Sequence, residues 1–318
     1  MAVSDSNAEL LAQLRLEQTR LKQGLIARNT IVGYTYDVKM YEAWCEHLGL
    51  NAFPGTTETL SLYLTDLLSQ GKKITTARRR KCAIVHEHRA RGLPSPATSE
   101  VTELLLGAQR LRAERPRQMR PITVRELAKI SATLARIGSP AALRNRALFV
   151  IGFASGLRRS NLAALNFGDV EFCRRGLVLS IAREKQDRKG QGRLVGICRG
   201  KRSNTDPVGV LRAWLRVRGR IFDQGGPLFP RLNPAHRGEP MDGGSIYRIV
   251  KTSLALVGID ETQRGPHSLR SGLVTAAGQA NIGVLQIGAH TGQSPEMVRR
   301  YFRESEIWVN NPSGKLGL

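Results

Sequence analysis

The chain has few cysteines and no long apolar run, and these shortages exclude several classes of protein. Its four cysteines are scattered over 318 residues without a CxxC pair, which argues against a disulfide framework and against a zinc site. No apolar stretch reaches the roughly 20 residues of a membrane-spanning helix. The first residues also lack the basic and apolar pattern of a signal peptide. We therefore expect a cytoplasmic protein that does not enter a membrane and that holds no metal and no cofactor.

Acidic residues are also scarce. The chain has 26 Asp and Glu against 49 Lys and Arg, which gives a formal net charge of +23. Such an excess predicts a polyanionic partner, because the positive charges repel one another when nothing neutralises them. The basic residues are spread along the chain rather than concentrated in one amphipathic helix or tail, so nucleic acid is favoured over a membrane surface.

Apolar residues at helical spacing predict a block of helices in the N-terminal part of the chain. The predicted helices cover residues 8–25, 30–50, 57–73, 75–92 and 99–114. The segment RPRQMRP at 115–121 is basic, carries proline near both ends and has no apolar periodicity, which is typical of a linker. We therefore divide the chain into a helical domain 1–114, a linker 115–121 and a second domain 122–318.

The second domain is predicted to be helical with a small inserted sheet. Thr123 and Glu126 have the spacing of a capping box, and NRALFVIGFASGLRRSNLAALNF has the pattern of two helices that meet near Gly156. The runs VEF, LVLSIA and RLVGIC are separated by CRRG and REKQDRKGQG, which predicts three antiparallel strands. Further helices are predicted at 206–219, 245–258, 267–281 and 294–302. The expected fold class is therefore mainly α (α+β).

Arg158 is the first basic residue whose position calls for an anion. Leu162 and Leu165 follow it at helical spacing, so a continuous helix would point all three side chains towards the core. A guanidinium on an apolar face is costly unless an anion meets it. That anion is either a carboxylate from elsewhere in the chain or a bound ligand.

The motif PHSLRSG predicts a second place for an anion. Pro266 favours the start of a helix, and His267 and Arg270 would then project together from its first turn. The N-terminus of a helix itself favours an anion. Lys185 and Lys189 lie at the tip of the predicted hairpin, where they either reach a bound phosphate or remain in solvent.

Tyr301 lies on a short predicted helix for which Ser294 is a suitable N-cap. Val298 and Phe302 take the core face of that helix, so the phenol need not be buried. The combined set of side chains suits attack of a phenol on a phosphodiester. Arginines hold the non-bridging oxygens, a histidine handles the phenolic proton and a lysine protonates the leaving 5′ oxygen. The product is a covalent 3′-phosphotyrosine, and the reaction needs no metal ion.

These motifs, in this order, resemble those of the tyrosine recombinases, the family of the phage integrases and of Cre- and Xer-like enzymes. SGLRRSNLAAL resembles the first arginine motif, IAREKQDRKGQG the hairpin lysine motif, HSLRSG the HxxR box and VRRYF the nucleophile helix. The N-terminal helices resemble the core-binding domain. The resemblance implies a site-specific DNA recombinase. Its implied catalytic residues are Arg158, Lys185 in preference to Lys189, His267, Arg270 and Tyr301.

The sequence departs from the family pattern at two places. Asn161 stands where the family has an acidic residue, and we expect a supporting role with a modest effect. A second histidine or tryptophan is expected before the tyrosine, at Gly292 by spacing or at Gln293 by motif. The histidine nearby is His290, which we take as a sixth catalytic candidate. In the alternatives, Gln293 donates the hydrogen bond instead or the position is vacant.

The resemblance also implies how the protein works on double-stranded DNA. Family members clamp DNA between two domains, cut one strand per subunit and assemble as a homotetramer through a Holliday junction. The tail would dock on the neighbouring subunit through the apolar residues Ile307, Trp308 and Val309, unless these pack on their own domain. DNA contacts are expected from four residues of the first domain and two of the linker: Arg78, Arg79, Arg80, Lys81, Arg117 and Arg120.

Three other functions are weighed against recombination. A weakened homologue would act only as a sequence-specific DNA-binding protein, and the departure at 290–293 motivates that alternative. A type IB topoisomerase would relax DNA without a defined site, which the small two-domain layout disfavours. A nucleoid or ribosomal protein would explain the charge but not the ordered motifs. A recombinase of this kind is expected to associate with the nucleoid.

Overall fold

The computed structural model describes residues 10–11, 13–14, 16–17, 28–112, 119–182, 192–222, 225–305 and 316. The chain divides into two compact units, one spanning Met1–Pro116 and the other Arg117–Leu318. Both are built mainly from helices. Within the described ranges, no helix is long and apolar enough to cross a membrane.

The first unit packs helices around one apolar core. Its helices from residue 28 onward are α1 (Arg28–His47), α2 (Thr57–Ser69), α3 (Ile74–Ala90) and α4 (Ser99–Arg112). Thr56 caps α2 by accepting the backbone N–H of Thr59 at 3.1 Å. The inward faces of the helices form the core, which includes the fully buried Tyr41, Leu60, Tyr63, Leu64 and Ile84. The helices predicted for 30–112 are thus confirmed.

The carboxylate of Asp37, on α1, is fully buried in the first unit. Arg79 donates to its Oδ1 at 3.1 Å, and the guanidinium of Arg80 lies 3.7 Å from the same oxygen. Arg80 also donates to the hydroxyl of Tyr63. Burial raises the pKa of Asp37, and the two arginines oppose that rise. Part of the basic run on α3 therefore serves to hold the first unit together.

The second unit surrounds a small sheet with helices. Those described are α5 (Val124–Ile137), α6 (Pro140–Ser155), α7 (Arg159–Ala164), α8 (Pro207–Gly219), α9 (Gly243–Leu256), α10 (His267–Gln279), α11 (Val284–Thr291) and α12 (Pro295–Ser305). The antiparallel strands β1 (Val170–Cys173), β2 (Gly176–Ile181) and β3 (Arg193–Cys198) pair in the order β1-β2-β3. The predicted fold class is confirmed, because the described residues are mainly helical and form this one small sheet.

Helix α6 is the central element of the second unit. Five consecutive residues, from Ala147 to Ile151, are all buried. A helix that is apolar on every side must be surrounded by other elements, and α5, α8 and α10 all pack against it. Helix α5 begins with the predicted capping box, in which the side chains of Thr123 and Glu126 each bond the other residue's backbone N–H.

Two elements differ from the prediction. Helix α7 begins only at Arg159, so Arg158 is its N-cap, and Leu165 already has an extended backbone. The leucine is buried, but Arg158 does not share a continuous helical face with it. Helix α11 is absent from the predicted helices, because Gly283 and Gly288 lower the helix propensity of a short segment. Packing against its neighbours stabilises it.

Gly272 on α10 allows a close approach between two segments of the second unit. A Cβ at this position would lie 2.2 Å from the carbonyl oxygen of Ile122 and 2.7 Å from Cε2 of Phe153. The backbone N–H of Ile122 donates to the carbonyl of Ser268 at 3.0 Å, which ties the start of the unit to α10. A side chain at Gly272 would force these segments apart.

We therefore expect Gly272→Ala to lower the free energy of unfolding of the second unit by about 1–3 kcal/mol, the usual effect of overpacking. Gly219→Ala on α8 is the matched control, because a Cβ there meets no heavy atom within 4 Å. The control should gain up to about 1 kcal/mol in helix propensity. Urea denaturation followed by tryptophan fluorescence measures both variants. Equal stability of Gly272→Ala and wild type would contradict the close approach.

Candidate active site

The C-terminal end of α6 forms the base of the candidate site. Gly156 ends the helix in the left-handed conformation, with φ of 59°. Its carbonyl accepts a hydrogen bond from Nη1 of Arg270 at 2.7 Å. A Cβ at Gly156 would lie 2.9 Å from the side chains of Leu273 and Thr291. Glycine therefore suits both the backbone and the packing of this turn.

Helix α10 carries two of the predicted residues in its first turn. His267 is its first residue, and Arg270 follows one turn later with only 1% of its surface exposed. Arg158, the half-buried N-cap of α7, comes two residues after Gly156. Both Arg158 and Arg270 act electrostatically on His267. The structure therefore brings the two predicted arginines close to the imidazole of His267.

Helix α12 brings Tyr301 to the same imidazole. The hydroxyl of Tyr301 is hydrogen-bonded to Nε2 of His267, and the two ring centroids lie 5.9 Å apart. The tyrosine ring packs against a small apolar cluster that includes the buried Ile287 and Val298. The phenol is therefore half-buried, with its oxygen directed at a base.

The electrostatics of the site keep both partners of this hydrogen bond neutral. The pKa of His267 is lowered, first by burial and then by the positive charges of Arg270 and Arg158. The pKa of Tyr301 is raised by burial, while Arg270 and Arg300 oppose that rise. At neutral pH the imidazole is therefore uncharged and the phenol keeps its proton. Nε2 of His267 can accept that proton when the phenol attacks.

The segment before α12 contains the sixth candidate, His290, and the two alternative positions Gly292 and Gln293. The imidazole of His290 donates from Nε2 to the carbonyl oxygen of Ala154 at 2.8 Å. Gly292 is the left-handed C-cap of α11. Gln293 is buried, and among the described atoms its Oε1 has no hydrogen-bond partner. The hydrogen bond of the His290 ring thus goes to the backbone of α6.

Several predicted residues lie outside the described part of the chain: Lys185, Lys189, Arg117, Ile307, Trp308 and Val309. Arg120 is exposed, and its backbone N–H donates to the carbonyl of Gln263 at 2.8 Å. Asn161 is buried beside the site on α7, where its Oδ1 accepts from the hydroxyl of Ser160 at 3.3 Å.

The basic run on α3 divides according to burial. Arg78 is exposed and donates to the side chain of Gln109, and Lys81 is half-buried. The side chain of Arg79 is 49% exposed although it donates to Asp37. Arg80 is only 8% exposed. The DNA contact predicted for Arg80 stays a prediction, and the burial of its guanidinium against Asp37 and Tyr63 leaves little of it accessible to DNA.

Sequence reasoning misses Arg193, the first residue of β3. Its Nη1 donates to the carbonyl oxygen of His290 at 2.8 Å, across 97 residues of sequence. No local pattern signals a side chain whose partner is a distant backbone carbonyl. The end of α11 is thus bonded both to the sheet and to α6.

Comparison with known proteins decides the class of enzyme. Residues 119–306 match the model of the phage integrase family. The chain belongs to the phage integrase family. It is therefore a tyrosine recombinase, an enzyme that breaks and rejoins DNA strands. The matched range contains Arg158, His267, Arg270 and Tyr301.

Relatives of this recombinase match well beyond that range. It is 29% identical over 323 residues to an integrase/recombinase XerD homologue of Selenomonas ruminantium, with 99% of this chain and 93% of the relative covered. It is 26% identical over 286 residues to the tyrosine recombinase XerD of Proteus mirabilis, with 86% and 82% covered.

Solved structures share the recombinase fold. A lambda integrase dimer bound to a COC′ core site has a TM-score of 0.59 at 17% identity, over 92% of this chain and 76% of that one. The Tn1549 transposon integrase in complex with transposon right end DNA has a TM-score of 0.60 at 15% identity, over 91% and 93%. At these identities the likeness concerns the fold alone.

The lowered pKa of His267 predicts the acid limit of the cleavage reaction. If Nε2 accepts the phenolic proton, the rate falls only as the pH drops through the pKa of His267, which lies below the usual 6.5. Rates of covalent adduct formation at subsaturating DNA, measured between about pH 5 and about pH 8, report the pKa of the DNA-free enzyme and so measure this limit. His267→Gln, which cannot titrate there, should be slower and should lack this acid limb. A wild-type midpoint above pH 6.5 would refute the electrostatic reasoning.

Proposed function

We propose that the protein is a site-specific DNA recombinase in which Tyr301 attacks a phosphodiester and forms a covalent 3′-phosphotyrosine. The hydrogen bond between the Tyr301 hydroxyl and Nε2 of His267, beside the buried Arg270, is the observation that carries the proposal. It joins the proposed nucleophile to a neutral base whose pKa is lowered by the guanidinium groups of Arg270 and Arg158 in addition to burial. That is the arrangement a phenol needs in order to attack an anionic ester.

The proposed reaction conserves the energy of the phosphodiester. The phenolic proton moves to His267 while the oxygen of Tyr301 bonds to phosphorus and the bond from phosphorus to the 5′ oxygen breaks. Arg158 and Arg270 stabilise the charge on the non-bridging oxygens. Lys185 protonates the departing 5′ oxygen. Attack by the 5′ hydroxyl of another strand reverses these steps and releases Tyr301, so the rejoining step needs no energy source.

Double-stranded DNA with a specific recombination site is the proposed substrate, and a homotetramer is the proposed working assembly. The net charge of +23 supports a polyanionic substrate. A lambda integrase tetramer bound to a Holliday junction shares the fold, with a TM-score of 0.59. We propose that the tail residues 307–309 join neighbouring subunits. We also propose that the protein acts on DNA in the cytoplasm, in association with the nucleoid.

For the domain organisation we propose a core-binding domain at 1–114, a linker at 115–121 and a catalytic domain at 122–318. DNA contacts are proposed for the predicted basic residues other than the buried Arg80: Arg78, Arg79, Lys81, Arg117 and Arg120. Their exposure, where described, supports contact with phosphates.

A second candidate function is sequence-specific DNA binding without efficient strand cleavage. The bond between the His290 ring and the carbonyl of Ala154 favours it, because this bond uses Nε2 of His290 to hold the backbone of α6. The two functions differ in a single observable, the covalent protein–DNA adduct.

The nucleophile is tested with Tyr301→Phe on a nicked suicide substrate. We expect the variant to form no covalent adduct, since it lacks the attacking oxygen, and to bind DNA as tightly as wild type. Denaturing gels detect adducts, and mobility shifts measure binding. Tyr247→Phe is the matched control, because Tyr247 is an exposed tyrosine on α9 of the same unit.

Adducts should persist in the Tyr247→Phe control. Adducts that persist in Tyr301→Phe would place the nucleophile elsewhere. If the wild type binds its site tightly but never forms adducts, the DNA-binding function replaces recombination.

Two arginines of α3 should respond differently to removal. Arg78→Ala should lower the slope of log K against log salt by about 1, since one phosphate contact is lost, and should leave folding unchanged. Arg80→Ala should instead destabilise the first unit by about 3 kcal/mol, because it leaves Asp37 buried with less compensation. Salt titrations of DNA binding and urea unfolding measure the two effects. A stable Arg80→Ala with a reduced salt slope would contradict the structural role and support a contact between Arg80 and DNA.

A further inference from the structure

The turn that leads into the nucleophile helix α12 is anchored from two sides. On one side, Nη1 of Arg193 at the start of β3 donates to the carbonyl oxygen of His290 at 2.8 Å. On the other side, Nε2 of the His290 ring donates to the carbonyl oxygen of Ala154 on α6 at 2.8 Å. One residue at the end of α11 therefore connects the sheet to the central helix.

The anchor on α6 adjoins the anchor of the buried arginine. His290 bonds the carbonyl of Ala154, and Arg270 bonds the carbonyl of Gly156, two residues further on. The side chain of Thr291 packs against Gly156 as well. The end of α6 is therefore hydrogen-bonded both to α10, which carries Arg270, and to the end of α11, which precedes α12.

The turn itself is short and internally bonded. The backbone N–H groups of Gly292 and Gln293 both donate to the carbonyl of Gly288, at 2.8 and 3.1 Å. Helix α12 starts at Pro295, so few residues separate the anchor from the helix that carries Tyr301. A shift of the end of α11 is therefore transmitted to α12 rather than absorbed by a long loop.

We propose that Arg193 and His290 are positioning residues that hold α12, and with it Tyr301, in line with Arg270 and His267. His290 acts in this role through its hydrogen bond to Ala154 and not by proton transfer or by contact with the phosphate. The proposal rests on the proposed function, because the quantity that it explains is the rate of attack by Tyr301. An error of about 1 Å in the position of a nucleophile can lower a rate about 100-fold.

Two substitutions at His290 separate positioning from chemistry. His290→Gln keeps a side-chain N–H donor of similar reach but cannot titrate near neutral pH, whereas His290→Leu removes the donor. We expect His290→Gln to form adducts at nearly the wild-type rate with an unchanged pH profile. His290→Leu should be slower by about 100-fold with DNA affinity unchanged.

Arg193 is tested on the other side of the turn. Arg193→Ala should also slow adduct formation, and its effect should not add to that of His290→Leu, because both variants release the same turn. Arg174→Ala is the matched control, since it removes one arginine from the β1–β2 turn, at the opposite end of the sheet from Arg193. This control should cleave at the wild-type rate.

A readout without DNA makes the test independent of the proposed function. Amide hydrogen exchange in a peptide covering residues 289–300 should be faster in Arg193→Ala and His290→Leu than in wild type, and unchanged in His290→Gln. If the wild type forms no adducts, the proposed function fails. The exchange data alone then decide whether Arg193 and His290 hold the turn in place.

The proposal is overturned if His290→Gln is as defective as His290→Leu or has a shifted pH profile, because His290 would then act chemically. Wild-type exchange in both Arg193→Ala and His290→Leu would overturn it as well.

Discussion

The buried guanidinium of Arg270 is the charge on which the catalytic unit depends. It is 1% exposed and bonds the carbonyl of Gly156, which is open to it because α6 ends there in a left-handed turn. A cation in this position lowers the pKa of His267 and also opposes the rise in the pKa of Tyr301. One side chain thus joins α10 to α6, adds to the effect of burial on the pKa of His267 and opposes the effect of burial on the pKa of Tyr301.

Local signals predicted most of the fold. The capping box at Thr123, the three strands and the break at Gly156 depend on neighbouring residues, and the structure has all of them. The order of the motifs implied that His267, Arg270 and Tyr301 meet. The structure brings these three together with Arg158 at the adjacent N-cap.

What sequence could not supply depends on partners far along the chain. In the sequence, Arg80 cannot be told from its exposed neighbours on α3. Its burial follows from its contacts with Asp37 of α1 and Tyr63 of α2, which lie far away along the chain. The guanidinium of Arg193 donates to the backbone carbonyl of His290, and no sequence pattern marks a backbone carbonyl as a partner. His290 was the histidine available by proximity in sequence, but the geometry of α11 directs its ring to α6.

The charges around His267 and Tyr301 also bear on how the proposed proton transfer takes place. Burial lowers the pKa of His267, and the charges of Arg270 and Arg158 lower it further, so the imidazole is a weak base in the protein without DNA. A phosphodiester held between the two arginines would bring a negative charge close to the ring and would raise that pKa again. The base would therefore strengthen when the substrate arrives. The same negative charge would also oppose deprotonation of the Tyr301 phenol, whose pKa burial already raises, so in the proposed reaction the proton leaves as the bond to phosphorus forms.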